Sequence, residues 1–176
     1  VRPQEAIQKV EALDKSRAVI EFNLDGTILE ANENFLKTVG YTLAETRGRH
    51  HSMFVDPADR SSPEYIEFWQ TLRRGEYQAT QYRRIAKGGR EVWIEAIYNP
   101  IKDESGHPYK VVKYATDITE RKKKEADFEG QINAINRSQA VIQFNLDGTI
   151  LTANENFLAA TGYMLSEIQG KHHSMF

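Results

Sequence analysis

The sequence contains no cysteine among its 176 residues, which excludes disulfide scaffolds, cysteine-ligated zinc, thiol catalysis and thioether-attached haem. No apolar run approaches the roughly 18 residues that a membrane-spanning helix needs, and no signal-peptide pattern opens the chain. The 23 Lys and Arg residues nearly balance the 25 Asp and Glu residues, so no electrostatic footprint for nucleic acid is present. These absences predict a soluble, cytoplasmic protein without a membrane span or a nucleic-acid partner.

An internal repeat organises the chain. Residues 16–54 align without a gap to residues 138–176, and 28 of the 39 aligned positions are identical. A repeat of this length is typical of tandem domains joined by a linker rather than of solenoid units. We therefore expect an N-terminal amphipathic helix at residues 1–15, a complete domain at 16–119, a charged linker helix at 120–137, and the N-terminal half of a second domain at 138–176.

Local signals in the first copy predict an α+β fold. Asp25-Gly26 between apolar runs indicates a hairpin of strands Ala18–Asn23 and Thr27–Glu30. Asn32 can cap the next helix, and Ser62 followed by proline predicts the start of a longer helix. Three long strands are then expected at Glu76–Ala86, Glu91–Ile101 and Tyr109–Ile118. The order of elements predicts a five-stranded antiparallel sheet with short helices on one face.

Several motifs in order resemble a PAS domain, the sensor module of bacterial signalling proteins. They are Asn23–Thr27, Asn32–Phe35, Gly40-Tyr41, Asn99–Ile101 and the ending Asp117–Arg121. The repeated Gly-Arg/Lys-His-His-Ser-Met-Phe resembles the tandem PAS modules of soluble methyl-accepting chemotaxis-type proteins, including the biofilm-dispersion type. The resemblance implies a PAS fold and a sensory role, with a downstream signalling domain that this chain does not contain.

The resemblance leaves the ligand open, because PAS domains hold flavin, haem, small metabolites or nothing. His51 stands where the light-oxygen-voltage class has its reactive cysteine, which excludes that photochemistry. Trp69 is placed to stack on an FAD ring, although core packing explains it better. Haem needs an axial ligand, so His51 or His50 would bind metal only if haem is present. We expect no cofactor first, haem second and FAD third.

The comparison with the light-oxygen-voltage class also predicts which residues of the fourth strand face the pocket. They are Val92, Ile94, Ala96 and Tyr98. Alternation then puts Trp93 and Ile97 on the outer face of the sheet, where an apolar patch needs a cover. The amphipathic seam of the N-terminal helix is the expected cover, from the same chain or from a partner. A matching seam precedes the second copy. The predicted interface residues are Ala6, Val10, Leu13, Trp93, Ile97, Phe128, Ile132 and Ile135.

The favoured function is a sensory module that binds a small ligand or redox cofactor and relays its state through connecting helices to a chemotaxis-type output domain. The alternative is a ligand-free PAS dimerisation scaffold. An enzyme is not expected, since no nucleophile–base motif, phosphate loop or metal-spaced carboxylate set is present. A homodimer is expected, and an exchange of residues 138–176 between chains would shield the exposed edge of the second copy.

Overall fold

The computed structural model describes residues 2–176, which divide into a first compact unit that ends at Lys122 and a second unit, Lys123–Phe176. Val1, the first residue of the predicted segment 1–15, lies outside the described residues. The first unit contains α1 (Pro3–Ser16), β1 (Ala18–Asn23), β2 (Ile28–Ala31), α2 (Glu33–Val39), α3 (Leu43–Thr46), α4 (Pro63–Arg73), β3 (Gln78–Ile85), β4 (Glu91–Lys102) and β5 (Pro108–Asp117). Short 3-10 helices lie at His51–Phe54 and Lys87–Gly89.

The five strands form one antiparallel sheet in the order β2-β1-β5-β4-β3, as the α+β prediction requires. The β1–β2 hairpin turns through Gly26, whose φ of 89° lies in the left-handed region that glycine adopts without strain. The register pairs Tyr98 of β4 directly with Lys113 of β5, and Arg84 of β3 with Val92. This register brings polar side chains from three strands to the inner face.

The helices of the first unit begin at the side-chain caps that the sequence indicates. Asn32 Oδ1 accepts a hydrogen bond from the Phe35 N–H at 3.0 Å, and Ser62 Oγ accepts one from the Tyr65 N–H at 3.2 Å. The α4 helix buries Trp69 and Leu72 against the inner face of the sheet. The inner face and the helices enclose an aromatic core, and part of that core is polar.

The N-terminal helix differs from the prediction, because it does not cover the outer face of the sheet. No residue of α1 is buried, and its seam residues Val10 and Leu13 remain 58% and 42% exposed. Only the extended residue Arg17 separates α1 from β1, so the helix has no loop with which to fold back over the sheet. The prediction that α1 of the same chain covers the outer face was wrong, and cover by a partner stays a prediction.

The second unit repeats the front of the first. Helix α5 (Thr119–Ser138) begins in the first unit and ends in the second, and β6 (Ile142–Phe144), β7 (Ile150–Ala153), α6 (Glu155–Thr161), α7 (Leu165–Ile168) and a 3-10 helix (His173–Met175) follow. The two strands form a sheet of their own. Ile150 and Ile168 are buried, Phe157 and Leu158 are half-buried, and the side chain of Phe144 is exposed.

Candidate functional site

A chain of polar contacts crosses the interior of the first unit. His51 is fully buried, with its Nδ1 2.8 Å from the hydroxyl of Tyr65 on α4 and its Nε2 3.0 Å from the hydroxyl of Tyr98 on β4. The Tyr98 hydroxyl also accepts a hydrogen bond from Arg84 Nη2 at 3.1 Å. Since Tyr98 accepts from Arg84, its own proton is available to Nε2, and the Nδ1–H of His51 then donates to Tyr65. His51 therefore joins α4 to β4, and Tyr98 extends the chain of contacts to Arg84 on β3.

Two cationic side chains lie in the same interior. Arg84 is 8% exposed and Lys113 is 1% exposed, and Lys113 Nζ lies 4.8 Å from the centre of the Tyr98 ring and 5.2 Å from that of Phe35. No salt bridge reaches either cation from any carboxylate of residues 2–176. Buried charges are ordinarily paired, so this excess of positive charge is a feature of the site.

Burial and the two cations shift the pKa values of the cluster. Burial lowers the pKa of His51 well below its ordinary value of 6.5, and the charges of Arg84 and Lys113 lower it further. Burial also lowers the pKa of Lys113, against the opposing effect of Tyr98. Burial raises the pKa of Tyr98, but the charges of Arg84 and Lys113 outweigh this, and the net pKa lies below 10.0. His51 is consequently neutral at physiological pH.

A cavity of about 380 Å³ opens between α4 and β3, in front of this cluster, and is named here the α4/β3 cavity. Its apolar wall consists of Tyr65, Phe68 and Tyr82, and Arg84 lines it as well. The exposed carboxylates of Asp59 and Glu64 stand at its rim. Two buried polar atoms beside the cavity lack a hydrogen-bond partner, the Tyr82 hydroxyl and Arg84 Nε. The volume and mixed lining are typical of a site for a small molecule.

The two histidines that the sequence singled out lie in different surroundings. His50 is exposed, and its Nε2 lies 2.8 Å from the Asp25 carbonyl while its Nδ1 accepts from the Ser52 N–H at 3.0 Å. His51 has both ring nitrogens bonded to tyrosines. Neither imidazole offers a free nitrogen to iron, so this arrangement does not fit an axial haem ligand.

The other predicted pocket residues belong to the core behind the cavity. Trp69 packs edge-on against Phe22 and His51, with ring centres 5.8 Å and 5.4 Å apart. Ile94 and Ala96 are buried in the same apolar cluster as Tyr98, as the alternation along β4 predicted. The structure thus brings His51, Trp69 and Tyr98 together and leaves His50 outside. None of these residues lines the α4/β3 cavity itself.

Sequence reasoning missed Lys113 and did not recognise Tyr65, Tyr82 and Arg84 as parts of one site. Alternation carried a signal, because Lys113 stands between the inward-facing Val111 and Ala115 on β5. A charged residue in an inward position of a strand is unusual, and it indicates a candidate functional residue as a buried histidine does. For Tyr65 no such signal existed, because its place in α4 fits ordinary core packing.

A second feature of interest is the junction between the sheet and α5. The Trp93 N–H donates to Thr119 Oγ1 at 3.0 Å, and the Ile118 N–H donates to the Trp93 carbonyl at 2.9 Å. Lys122 Nζ lies 4.9 Å from the centre of the Trp93 ring. Thr119 in turn donates its N–H and hydroxyl to Asp117 Oδ1. The first turn of α5 is therefore fixed to the outer face of β4.

The C-terminal ends of α1 and α5 are held in the same way, each within its own unit. Asn32 Nδ2 donates to the carbonyls of Asp14 and Arg17 at 2.8 Å and 2.7 Å. In the second unit, Asn154 Nδ2 donates to the carbonyls of Asn136 and Gln139 at 3.1 Å and 2.7 Å. These asparagine clamps satisfy carbonyls that a helix end leaves unpaired.

The histidine pair recurs in the second unit without the burial. His172 Nε2 lies 3.0 Å from the Asp147 carbonyl, which reproduces the contact of His50. His173, the counterpart of His51, is exposed. The contact that His50 and His172 share needs only the hairpin. Burial of the following histidine needs further strands, which the second unit does not include among residues 123–176.

The predicted interface residues remain accessible. Trp93 and Ile97 are half-buried on the outer face of the sheet, and Phe128, Ile132 and Ile135 are exposed along α5.

Within residues 2–176, no cluster of three or more His, Cys, Asp or Glu side chains is arranged to hold a metal ion. In the same range no helix has the length and apolar character to cross a membrane.

Comparison with known proteins agrees with the fold. Residues 28–115 match the model of the PAS fold family. The chain is 45% identical over 165 residues to the biofilm dispersion protein BdlA of Pseudomonas aeruginosa, covering 94% of this chain and 40% of that protein. It is 29% identical over 97 residues to the aerotaxis receptor of Escherichia coli, covering 55% of this chain and 19% of the receptor. The chain thus spans well under half the length of these relatives.

Solved structures show the same architecture. A PAS domain from Colwellia psychrerythraea superposes with a TM-score of 0.57 at 24% identity, covering 65% of this chain and 98% of that one. An RNA-binding light-oxygen-voltage receptor superposes with a TM-score of 0.58 at 25% identity, covering 73% of this chain and 37% of the receptor. With its five-stranded sheet, its inner-face helices and the matched residues 28–115, the chain belongs to the PAS-fold family.

Proposed function

We propose that this chain is a sensory PAS module that couples the state of its pocket to the helix that follows the sheet. The observation that carries the proposal is the position of Trp93 in β4. Its neighbours Val92 and Ile94 point into the core, while its own N–H and carbonyl hold Thr119 and Ile118 at the start of α5. A shift of β4 caused by a ligand on the inner face therefore displaces the first turn of α5.

The other end of α5 supports the same role. Asn154 holds the carbonyls of Asn136 and Gln139, so the helix is fixed to the front of the second unit. A helix fixed at both ends transmits a displacement or rotation, and Gly130 is the single glycine along it. We infer that the second unit is the front half of another PAS domain and that a chemotaxis-type output domain receives the signal, since the relatives include a biofilm dispersion protein and an aerotaxis receptor.

In this proposal the core residues His51, Trp69, Ile94, Ala96 and Tyr98 lie behind the cavity and respond to the bound molecule through Tyr65 and Arg84, which line it. The network from Tyr65 through His51 to Tyr98 gives the cavity a hydrogen-bonded connection from α4 to β4. A ligand that changes any one of these bonds changes the position of β4. The chemistry is sensory rather than enzymatic.

A double-mutant cycle tests the relay without requiring a known ligand. Tyr98→Phe removes the hydroxyl that His51 and Arg84 share, and hydrogen exchange by mass spectrometry then reports on amides 120–128. We expect at least a ~3-fold change in exchange rate, because β4 holds the start of α5. In the Thr119→Val background the change should be smaller, since the hydrogen bond from the Trp93 N–H is lost while the one from the Ile118 N–H to the Trp93 carbonyl remains. As a control, Thr116→Val changes an exposed strand position, and in that background Tyr98→Phe should still change the exchange rate. Unchanged exchange in Tyr98→Phe would refute the relay.

A ligand-free dimerisation scaffold is the second candidate, and the exposed apolar surfaces favour it. The seam of α1 (Ala6, Val10 and Leu13) and the outer-face residues Trp93 and Ile97 are accessible in the single chain. We propose that they meet in a homodimer, with Phe128, Ile132 and Ile135 extending the interface and residues 138–176 available for exchange between chains. Sedimentation velocity should show a dimer that Leu13→Glu dissociates and Gln8→Glu does not. A monomeric wild-type protein at about 100 μM would exclude this candidate.

A further inference from the structure

We propose that the α4/β3 cavity binds a small carboxylate with a flat apolar body, whose anion docks on Arg84. This inference rests on the proposed sensory function and names the ligand class for it. The starting point is the charge of the interior. Arg84 and Lys113 are both at least nine-tenths buried, and no carboxylate of residues 2–176 forms a salt bridge with either. A buried cation without a counter-ion is costly unless an anion joins it.

The orientation of the guanidinium shows where the anion would lie. Arg84 Nη1 donates to the Arg83 carbonyl at 3.1 Å and Nη2 donates to Tyr98, while Nε has no partner. The Nε–H lies on the side edge of the guanidinium and is the donor left without an acceptor, which a carboxylate oxygen can supply. The Arg84 Cζ stands 4.7 Å from the centre of the Tyr82 ring, and this stacking fixes the edge in place.

A second unpartnered donor lies beside the first. The Tyr82 hydroxyl is buried and has no hydrogen-bond partner, and the side chains of Tyr82 and Arg84 both line the cavity. Burial raises the pKa of Tyr82, so the hydroxyl stays protonated and available as a donor. A carboxylate seated on the edge of Arg84 supplies the acceptor that both groups lack.

The walls and the rim narrow the ligand further. Tyr65, Phe68 and Tyr82 provide aromatic surfaces that suit a planar apolar body, and about 380 Å³ accommodates a single-ring compound. The exposed Asp59 and Glu64 at the rim disfavour a doubly charged group such as phosphate. Arg83 also lines the cavity, but Asp56 and Glu91 already neutralise it at 2.8 Å and 3.2 Å. Arg84 alone offers an unmatched charge there among the described residues.

Isothermal titration calorimetry with phenylacetate and phenylacetamide at pH 7.5 tests the inference, because the two compounds share a shape and differ in charge. We expect phenylacetate to bind at least ~10-fold more tightly than phenylacetamide. Arg84→Met should abolish that preference, whereas the matched variant Arg83→Met should change the dissociation constant by less than ~3-fold. Tyr82→Phe, which keeps the ring, should weaken phenylacetate binding by ~5-fold or more. Circular dichroism checks that each variant is folded.

The inference would be overturned by no binding of phenylacetate, by equal binding of the amide, or by tighter binding of inorganic phosphate. Equal loss in Arg83→Met and Arg84→Met would also overturn it, because long-range charge would then explain the effect. The relay is tested separately by the exchange experiment on Tyr98→Phe. If α5 responds to Tyr98→Phe but phenylacetate does not bind, only the ligand class is wrong. If phenylacetate binds but α5 does not respond, only the relay is wrong.

Discussion

His51 Nε2 lies 3.0 Å from the hydroxyl of Tyr98, and this contact joins the 3-10 helix before α4 to β4, the strand whose Trp93 holds the start of α5. Tyr65 holds His51 on its other side, so both ring nitrogens are bonded. A buried imidazole with two tyrosine partners and two nearby cations has no anion to stabilise a second proton. The neutral ring is therefore part of the folded structure.

Acid should destabilise the first unit through His51. Because burial holds the pKa of His51 well below 6.5 in the folded state, the unfolded chain binds this proton first as the pH falls. The free energy of unfolding should thus decrease below pH 6.5 by up to ~1.4 kcal/mol per pH unit, until the folded-state pKa is reached. Urea titrations followed by tryptophan fluorescence measure this, since both tryptophans, Trp69 and Trp93, lie in the first unit.

The prediction is specific to one histidine. In His51→Gln the slope of the free energy of unfolding against pH between 6.5 and 5 should be smaller by the equivalent of about one proton. Identical slopes in wild type and His51→Gln would show that His51 accepts a proton in the folded state, contrary to the arrangement described above.

Local signals made the backbone of the first unit predictable, because each depends on a few adjacent residues. The strand expected at Glu91–Ile101 is observed at Glu91–Lys102, and that expected at Glu76–Ala86 is observed at Gln78–Ile85. The Asn32 cap and the Asp25-Gly26 turn are also local. The polar cluster was not predictable in this way, because Tyr65, Arg84 and Lys113 come from three distant segments that only the register of the sheet brings together.

The placement of α1 was mispredicted for a related reason. The spacing of Ala6, Val10 and Leu13 shows that one face of the helix is apolar, but spacing does not show what that face contacts. The single residue Arg17 between α1 and β1 decides the matter, because it gives the helix no length of chain in which to reverse. Connection length is a constraint that periodicity does not contain.

Lys113→Met should stabilise the first unit at neutral pH. The Lys113 side chain is 1% exposed and burial lowers its pKa, so folding removes a charge from water without supplying a carboxylate partner. An apolar side chain of similar length should raise the free energy of unfolding by ~1–3 kcal/mol in urea titrations. Lys110→Met on the same strand removes a more accessible lysine paired with Glu21 and should change it by less than ~0.5 kcal/mol. A destabilised Lys113→Met would show that the ammonium is better solvated than its burial implies.

Gly26→Ala should lower the free energy of unfolding by more than the backbone strain of alanine at a positive φ accounts for. Gly26 and Gly88 both have φ near 80–90°, so alanine at either position costs about 1–2 kcal/mol of backbone strain. At Gly26 the added Cβ would also stand 2.4 Å from His50 Nε2, whereas at Gly88 it meets nothing within 4 Å. Gly26→Ala should therefore lower the free energy of unfolding by at least ~1 kcal/mol more than Gly88→Ala. In the His50→Ala background this additional loss of unfolding free energy should vanish. If it persists there, the backbone and not the contact with His50 is its cause.

The repeat supplies a reciprocal test of helix capping. Thr42 Oγ1 accepts from the Glu45 N–H at 3.3 Å, but its counterpart Met164 provides no side-chain cap to α7. Thr42→Met should lower the free energy of unfolding of the first unit by ~1 kcal/mol, and Met164→Thr should stabilise α7 by a similar amount. The second unit contains no tryptophan, so the amide exchange rate of Glu167 is its readout, and we expect it to slow ~5-fold. Unchanged exchange at Glu167 would show that the Glu167 carboxylate, which accepts from the Met164 N–H at 2.7 Å, already secures that helix start.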